Sequence, residues 1–189
     1  WEHFATPLPE PADMAALPRP RIGYAGLLSH FLDFEALEAL RAGRQGGTLV
    51  LIGLETPATA GPLRELAARP GVAVLGPRPY EELPGYLQAL DVGVIPFRAK
   101  DPYVQGINPN KVYQYLASGL PVVTTPILDL QPDPPHVHFA TDAASMARAV
   151  AEALRTAGPR DVRREMAREH DWAKLAAFMV ETLEARLAA

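Results

Sequence analysis

Short, almost wholly apolar runs recur along this chain, and each is followed by glycine or proline and then by a segment with helical spacing. The clearest run is TLVLI at residues 48–52, which lacks polar alternation, as expected for a strand buried on both faces of a parallel sheet. Regular alternation of strand and helix predicts a Rossmann-like, doubly wound parallel α/β sheet. The predicted strands span residues 22–28, 48–52, 72–75, 91–97, 122–125 and 137–140.

The segments between these runs show the 3.6-residue spacing of amphipathic helices. Leu83 and Leu87, for example, fall on one face of the helix predicted after the third strand. Asp33 or Ser29 is the predicted N-cap of the first of these helices, and Asp142 caps the helix after the last strand. The predicted helices span residues 34–40, 62–68, 80–90, 109–118, 143–154, 159–168 and 172–187, and residues 98–107 are predicted to be a polar loop.

Composition places the chain among soluble globular proteins, with 48% hydrophobic and 21% charged residues. Residues 1–20 are rich in proline and lack periodicity, so we predict a linker or inter-domain strap there and one domain over residues 21–189. The chain begins with Trp1 rather than Met, and we therefore expect it to be part of a longer protein.

Several functional classes are disfavoured by composition. A net charge of −4 and the absence of a dense Lys/Arg run argue against a general nucleic-acid partner. There is no cysteine, no apolar run long enough to span a bilayer and no signal peptide in the sequence. The default expectation for location is therefore the cytoplasm.

The most informative stretch is INPNKVYQYLASGLPVVTT at residues 107–125. Asn108 is the predicted N-cap and Pro109 the first residue of a helix. Lys111 then lies in the first turn, against the positive end of the helix dipole, which is unfavourable unless an anion binds there. Gln114 lies one turn further on the same face. We hypothesise a phosphate-bearing ligand at this helix start, and a solvated surface lysine is the alternative that local sequence leaves open.

Ligands of doubly wound sheets bind at the carboxyl ends of the strands, which here fall near residues 26–29, 53–55, 76–80 and 97–100. Glycines at these ends permit close approach to a ligand, or they simply terminate strands. The glycine spacing at residues 23–26 does not match G-x-G-x-x-G, and neither a Walker motif nor G-x-S-x-G is present.

The order of these segments resembles the C-terminal, nucleotide-sugar-binding domain of two-domain (GT-B) retaining glycosyltransferases, the group 1 or family 4 enzymes. The resemblance covers nearly the whole chain, and NPNKVYQYLASGLPVVTT at residues 108–125 is its most specific part. IGYAGLLSHFLDFEAL at residues 22–37 and HDWAKLAAFMVETL at residues 170–183 also match in kind. The variant is most similar to bacterial cell-surface polysaccharide transferases of the teichuronic-acid type.

The resemblance implies the roles of particular residues. Asn110 and Lys111 would hold the donor diphosphate, and Lys111 would act as the catalytic residue that stabilises the leaving group. Gln114 stands where the family has an acidic ribose-binding residue. The loop at residues 76–80 would read the base, with Arg78 as its stacking surface. The implied donor-binding residues are Gly26, Leu27, Ser29, Gly53, Arg78, Tyr80, Phe97, Asn108, Asn110, Lys111 and Gln114.

The chain departs from many relatives after the first strand, where they carry Arg and Lys and this sequence has residues 27–29, LLS, with His30 nearby. We therefore expect Lys111 to act nearly alone, or Lys100 or Arg98 from the polar loop to substitute for the missing pair. The resemblance further implies retaining transfer from a nucleotide-diphosphate sugar to a glycan, lipid or other acceptor, without a metal or cofactor.

An acceptor-binding N-terminal domain is expected outside this chain, and any membrane contact is expected only through that part. The isolated domain is expected to transfer nothing. Two alternatives remain open: a non-catalytic module that acts as scaffold or partner-binding domain, and the donor half of another GT-B enzyme such as an epimerase or phosphorylase.

Two other patterns have mainly structural interpretations. His136 and His138 form an H-x-H without a third ligand nearby, which favours alternate faces of a short strand over a metal site. The charged residues among 163–169 are interpreted as an exposed, ion-paired helix face.

Overall fold

Six parallel strands form one sheet in the order β3-β2-β1-β4-β5-β6 in the computed structural model, which describes residues 1–128, 130–133 and 136–187. The strand order reverses between β1 and β4, as in a Rossmann sheet. The predicted Rossmann-like, doubly wound fold class is therefore confirmed. The strands are β1 (Arg21–Ala25), β2 (Thr48–Ile52), β3 (Val72–Gly76), β4 (Val92–Ile95), β5 (Val122–Thr124) and β6 (Val137–Phe139).

Helices cover both faces of this sheet. Helices α3, α4 and α8 pack on one face, while α5, α7 and α9 pack on the other together with the N-terminal segment, defined as residues 1–20. The helices are α1 (Glu2–Ala5), α2 (Ala12–Ala15), α3 (Phe34–Ala42), α4 (Ala60–Ala67), α5 (Leu83–Gln88), α6 (Pro102–Gln105), α7 (Lys111–Ala117), α8 (Ala143–Thr156), α9 (Arg160–Glu169) and α10 (Trp172–Leu187).

Several elements lie where local chemistry predicts them. Strand β2 has the predicted bounds, and all its residues are buried because both faces of the sheet are covered. Asp33 caps α3 by accepting from the Ala36 N–H, and Asp142 forms a capping box with Ser145 at the start of α8. Helix α10 also has the predicted bounds, and none of its described residues is buried.

Helix α7 begins later than the sequence suggested. Lys111 is its first residue, and Asn110 is the N-cap, without a side-chain capping bond. The prediction that Asn108 caps a helix starting at Pro109 is therefore wrong. Pro109 instead belongs to a preceding turn, in which its carbonyl accepts from the Val112 N–H at 3.2 Å. Lys111 nevertheless remains in the first turn, as predicted.

The segment predicted as a polar loop at residues 98–107 contains the short helix α6. Asp101 caps it by accepting from the Tyr103 N–H at 2.9 Å, and Pro102 is its first residue. An aspartate followed by proline is a recognised helix start, so this signal was present in the sequence.

The N-terminal segment is packed onto the domain. Phe4 and Met14 are buried, although the segment shows no helical periodicity in sequence. Glu10 pairs with the buried Arg21 guanidinium, and Arg19 pairs with Asp91 at 2.5 Å. Its role as a strap between two domains stays a prediction.

Arg163 corrects the interpretation of residues 163–169 as a uniformly exposed face. Its side chain is 1% exposed and donates to the carbonyls of Gly119, Ala157 and Gly158. The guanidinium thus satisfies carbonyl groups where α7 and α8 end, which helical spacing alone could not indicate. Arg164 and Arg168 do form the expected surface ion pairs, with Asp161 and Glu165.

Candidate functional site

The crevice at the carboxyl ends of β1 and β2 is built on two glycines with positive φ. Gly26 has φ of 148° and Gly53 has φ of 145°, so both adopt a conformation that disfavours other residues. A Cβ at Gly53 would overlap the Gly26 carbonyl oxygen. The two strand ends therefore approach closely because neither residue has a side chain, which leaves backbone exposed to the crevice.

Lys111 crosses directly over Gly26. A Cβ at Gly26 would overlap Cε of Lys111, so the glycine is what admits the lysine side chain. The Lys111 ammonium lies 5.8 Å from the centre of the Tyr24 ring. Burial lowers the pKa of Lys111, and among the described residues no carboxylate offsets this effect. The result is a half-buried cation without an anionic partner in the described part of the chain.

Two buried tyrosines hold Lys111 and the turn after β1 in position. The Tyr24 hydroxyl donates to the Leu27 carbonyl at 3.1 Å, which holds the turn after Gly26. The Tyr115 hydroxyl accepts from the Ala25 N–H at 2.8 Å and thereby ties α7 to the end of β1. Burial raises the pKa of both hydroxyls, so they remain neutral. Tyr115 lies one helical turn after Lys111, so this bond also sets where the lysine projects.

A cavity of about 210 Å³ opens beside Lys111. Its lining contains two cations, Lys111 and Arg78, and no acidic residue. Much of the remaining wall is apolar. The lining residues are Phe4, Ala25, Gly26, Ile52, Gly53, Pro77, Arg78, Leu83, Leu87, Lys111 and Gln114. We call this space the Lys111 cavity.

Arg78 lines the Lys111 cavity from the loop after β3, and each of its side-chain nitrogens donates a hydrogen bond. Its Nε donates to the Tyr86 hydroxyl at 2.7 Å, and its Nη2 donates to Asp13 at 2.8 Å. Its Nη1 donates to the Pro77 carbonyl at 3.1 Å. The hydrogen bond that Arg78 donates to Asp13 is the main reason that the pKa of Arg78 is raised. Arg78 is thus a fixed part of the wall.

The structure brings together only some of the predicted donor residues. Gly26, Gly53, Arg78, Lys111 and Gln114 share the Lys111 cavity. A neighbouring aromatic cavity of about 590 Å³ also touches Gln114 and contains the other α7 and loop residues on the predicted list. Those residues are Tyr80, Asn108 and Asn110.

The remaining predicted residues line neither cavity. Leu27 is half exposed, Ser29 is buried, and Phe97 packs edge-on against Tyr24 with ring centres 6.2 Å apart. Phe97 therefore supports the tyrosine beneath Lys111. Lys100 and Arg98, the alternatives to the missing basic pair, line a different cavity together with His30 and do not line the Lys111 cavity.

Sequence reasoning missed Tyr24, Asp13 and Phe4 as contributors to this site. A tyrosine inside an otherwise aliphatic strand was the available signal for Tyr24. The other two lie in the N-terminal segment, where no pattern pointed to the crevice.

The described residues contain neither a metal-binding cluster nor a membrane-spanning helix. No group of three His, Cys, Asp or Glu side chains there could hold a metal ion, and His138 is buried in β6. No helix in the described ranges has both the length and the apolarity needed to cross a membrane.

Comparison with known proteins identifies the family. A family model described as glycosyl transferases group 1 matches residues 19–156, more than half of the chain. The chain belongs to the group 1 glycosyltransferases. This confirms the resemblance drawn from the sequence.

Individual relatives of this group 1 glycosyltransferase are distant and longer. The putative teichuronic acid biosynthesis glycosyltransferase TuaH of Bacillus subtilis is 26% identical over 158 residues, which are 80% of this chain and 40% of TuaH. Anabaena HepE in complex with UDP superposes with a TM-score of 0.72 at 18% identity, over 89% of this chain and 49% of HepE. Sucrose-phosphate synthase from Thermosynechococcus elongatus gives a TM-score of 0.71 at 24% identity, over 96% of this chain and 50% of that enzyme.

The two structural matches establish a shared fold, the half of a GT-B architecture that this chain spans. The chain covers about half the length of these relatives or less. What each relative binds is a property of that protein.

Proposed function

We propose that this chain is the donor-binding part of a glycosyltransferase that takes its sugar from a nucleotide-diphosphate sugar, with the diphosphate at Lys111. The observation that carries the proposal is the half-buried Lys111 ammonium, which has no anionic partner among the described residues and faces a cavity without acids. Burying a charge without a partner costs free energy, and an anionic ligand offsets that cost. Helix α7 is short, so we assign the anion to the Lys111 ammonium rather than to the helix dipole.

The positions of the two cations suit a ligand with an anionic part and a planar part. Lys111 lies over the end of β1, while Arg78 follows β3, two strands away in the sheet. Two strand spacings are about 10 Å. We place the diphosphate at Lys111 beside the Gly26 and Gly53 backbone, and the nucleoside towards Arg78 and the apolar wall. Gln114 is placed to bond sugar or ribose hydroxyls, since its amide both donates and accepts.

The role of Lys111 in transfer follows from where charge develops. The bond between the anomeric carbon and the diphosphate oxygen breaks, and the electron pair remains on the leaving nucleotide diphosphate. A preorganised cation beside that oxygen stabilises the developing charge, and loss of one such contact typically costs ~10²–10³ in rate. The acceptor hydroxyl and the group that takes its proton are assigned to the part of the protein outside this chain. We further propose retention at the anomeric carbon and transfer without a bound metal.

UDP is the first nucleotide to test, because the HepE structures contain UDP, UDP with glucose, or UDP-glucose. Melting temperature is measured with UDP, GDP, ADP and dTDP, for the natural chain and for Lys111→Ala. At about 100 times Kd, one ligand stabilises the folded state by about 2.7 kcal/mol. We expect one nucleotide to raise the melting temperature of the natural chain by several degrees and to leave Lys111→Ala unchanged.

The full-length protein provides the second measurement. If no nucleotide shifts the melting temperature of either the chain or the full-length protein, the donor-site proposal is wrong. That outcome would favour the non-catalytic module, for which the neutral Gln114 in place of an acidic residue is the supporting observation.

A further inference from the structure

Arg78 owes its orientation to a residue of the N-terminal segment. Asp13 accepts from Arg78 Nη2 at 2.8 Å and from the Tyr86 hydroxyl at 3.2 Å. Tyr86 in turn accepts from Arg78 Nε at 2.7 Å, so the three side chains form a closed triangle. Partial burial acts to raise the pKa of Asp13, but the bonds from Arg78 and Tyr86 hold it below its ordinary value.

This triangle is anchored by packing around it. Asp13 is followed by Met14, which is fully buried, and Tyr86 belongs to the same apolar cluster. The Arg78 guanidinium also lies over the Tyr86 ring, with Cζ 5.2 Å from the ring centre. The Asp13 carboxylate is therefore held in a defined place beside Arg78, although it does not line the Lys111 cavity.

The bonding pattern determines how Arg78 can meet a ligand. Each nitrogen of the guanidinium donates one in-plane bond, to Tyr86, Asp13 or the Pro77 carbonyl, so only one further N–H on each terminal nitrogen remains for a ligand. In-plane donors are the ones that grip phosphate or carboxylate, whereas the flat faces stack on rings. Arg78 lines the Lys111 cavity beside the apolar side chains of Phe4, Leu83 and Leu87. Its surroundings therefore suit a planar ring better than a second phosphate.

We propose that Asp13 is a positioning residue that fixes the Arg78 guanidinium as a stacking surface for the donor's nucleobase. The N-terminal segment is then part of the donor site rather than only a connection. This inference rests on the proposed function, and it adds that a residue of the N-terminal segment positions the group that holds the base.

The Asp13–Arg78 pair contributes little to folding, which makes it testable. Both side chains are partly exposed, and ion pairs of this kind stabilise proteins by only about 0–1 kcal/mol. Asp13→Asn is therefore expected to fold. Glu10→Gln is the matched control, because Glu10 lies in the same segment, is exposed to the same degree and pairs with Arg21, at the opposite end of β1.

The experiment measures Kd by calorimetry for UDP and for inorganic pyrophosphate. Asp13→Asn is expected to raise the Kd for UDP about tenfold, which is at the low end of what one stacked base contributes. The Kd for pyrophosphate is expected to stay unchanged. Arg78→Lys is expected to do the same, since it keeps the charge and loses the planar group. Glu10→Gln is expected to change neither affinity.

Each other outcome has a definite meaning. Unchanged UDP affinity in Asp13→Asn, or equal weakening of UDP and pyrophosphate, would overturn the positioning role while the donor site at Lys111 stands. Binding of pyrophosphate but of none of UDP, GDP, ADP and dTDP by the natural chain would also overturn it. Failure of both the natural chain and the full-length protein to bind either ligand would remove the proposed function and this inference with it.

Discussion

Arg78 and Lys111 are two cations that line the same cavity, but only Arg78 has an anionic partner among the described residues. Arg78 donates hydrogen bonds to Asp13, Tyr86 and the Pro77 carbonyl. Lys111 is half-buried over Gly26, and its ammonium lies 5.8 Å from the centre of the Tyr24 ring. Burial lowers the pKa of Lys111, whereas its partners raise the pKa of Arg78.

Arg78 is therefore a structural part of the cavity wall, whereas Lys111 is the cation that we expect to bind an anion. The partners of Arg78 are supplied by the chain, so its geometry is complete before any ligand arrives. Lys111 retains an unbalanced charge, and the chain holds it there through Gly26, Tyr24 and Tyr115. Substitutions at either cation, or at the residues that hold it, therefore test the contrast directly.

The largest expected effect is on catalysis by the full-length protein. Lys111→Ala should lower kcat/KM by ~10²–10³, because the developing charge on the leaving diphosphate loses its cation. Lys174→Ala is the control, since Lys174 is an exposed residue of α10 that pairs with Glu169. Steady-state transfer assays measure both. An effect of Lys111→Ala no larger than that of the control would contradict the assigned role.

Displacing Lys111 without removing it should have the next largest effect. Gly26→Ala introduces a Cβ that overlaps Lys111 Cε at a strained φ, so unfolding free energy should fall by about 1–3 kcal/mol and UDP affinity should fall as well. Gly46→Ala is the matched control: Gly46 has φ of 84° and open space around it. It should lose stability but keep UDP affinity. Urea unfolding and calorimetry give the two quantities, and equal UDP affinity in both variants would contradict the placement of Lys111.

Replacing each cation by a neutral residue should change the unfolding free energy in opposite directions. Lys111→Met removes a half-buried charge without a partner and should raise the unfolding free energy by about 0.5–2 kcal/mol. Arg78→Met leaves Asp13 and Tyr86 without their donor and should lower it by about 0.5–1.5 kcal/mol. Chemical unfolding of both variants at neutral pH tests the contrast. Changes of the same sign would show that Lys111 is already compensated in the free protein.

The smallest effect is a pH dependence of binding. The pKa of Lys111 is lowered in the free protein, and a bound diphosphate should raise it because the anion favours the ammonium form. Binding therefore takes up protons, and UDP affinity should fall as pH rises between these two pKa values. The other lysines are Lys100 and Lys174, so ¹³C-methylated lysine signals can be titrated individually by NMR. A Lys111 pKa that UDP leaves unchanged would contradict direct contact.

The features that sequence predicted correctly are those governed by neighbouring residues. The bounds of β2 and α10 follow from apolar patterning, and the caps Asp33 and Asp142 follow from side-chain chemistry. Lys111 in the first turn of its helix was also predictable. Its identification as a candidate ligand group came from one unfavourable placement, which is a local argument.

The features that sequence could not predict depend on distant residues. Asp13 and Arg78 are 65 positions apart, and neither lies in a pattern that points to the other. Lys100 and Arg98 were plausible substitutes by charge, yet the fold directs them into another cavity. Arg163 lies in a charged helical segment, and only the packing of α9 against α7 makes it buried.

Local sequence is enough to predict a doubly wound sheet with a lysine at a helix start, because periodicity, caps and strand composition act over a few residues. The packing of distant segments establishes that Lys111 lies over Gly26 without an anionic partner among the described residues, while Arg78 bonds to Asp13 and Tyr86. The physical reason is that burial and partnership set the energy of a charge, and both arise when distant segments pack together.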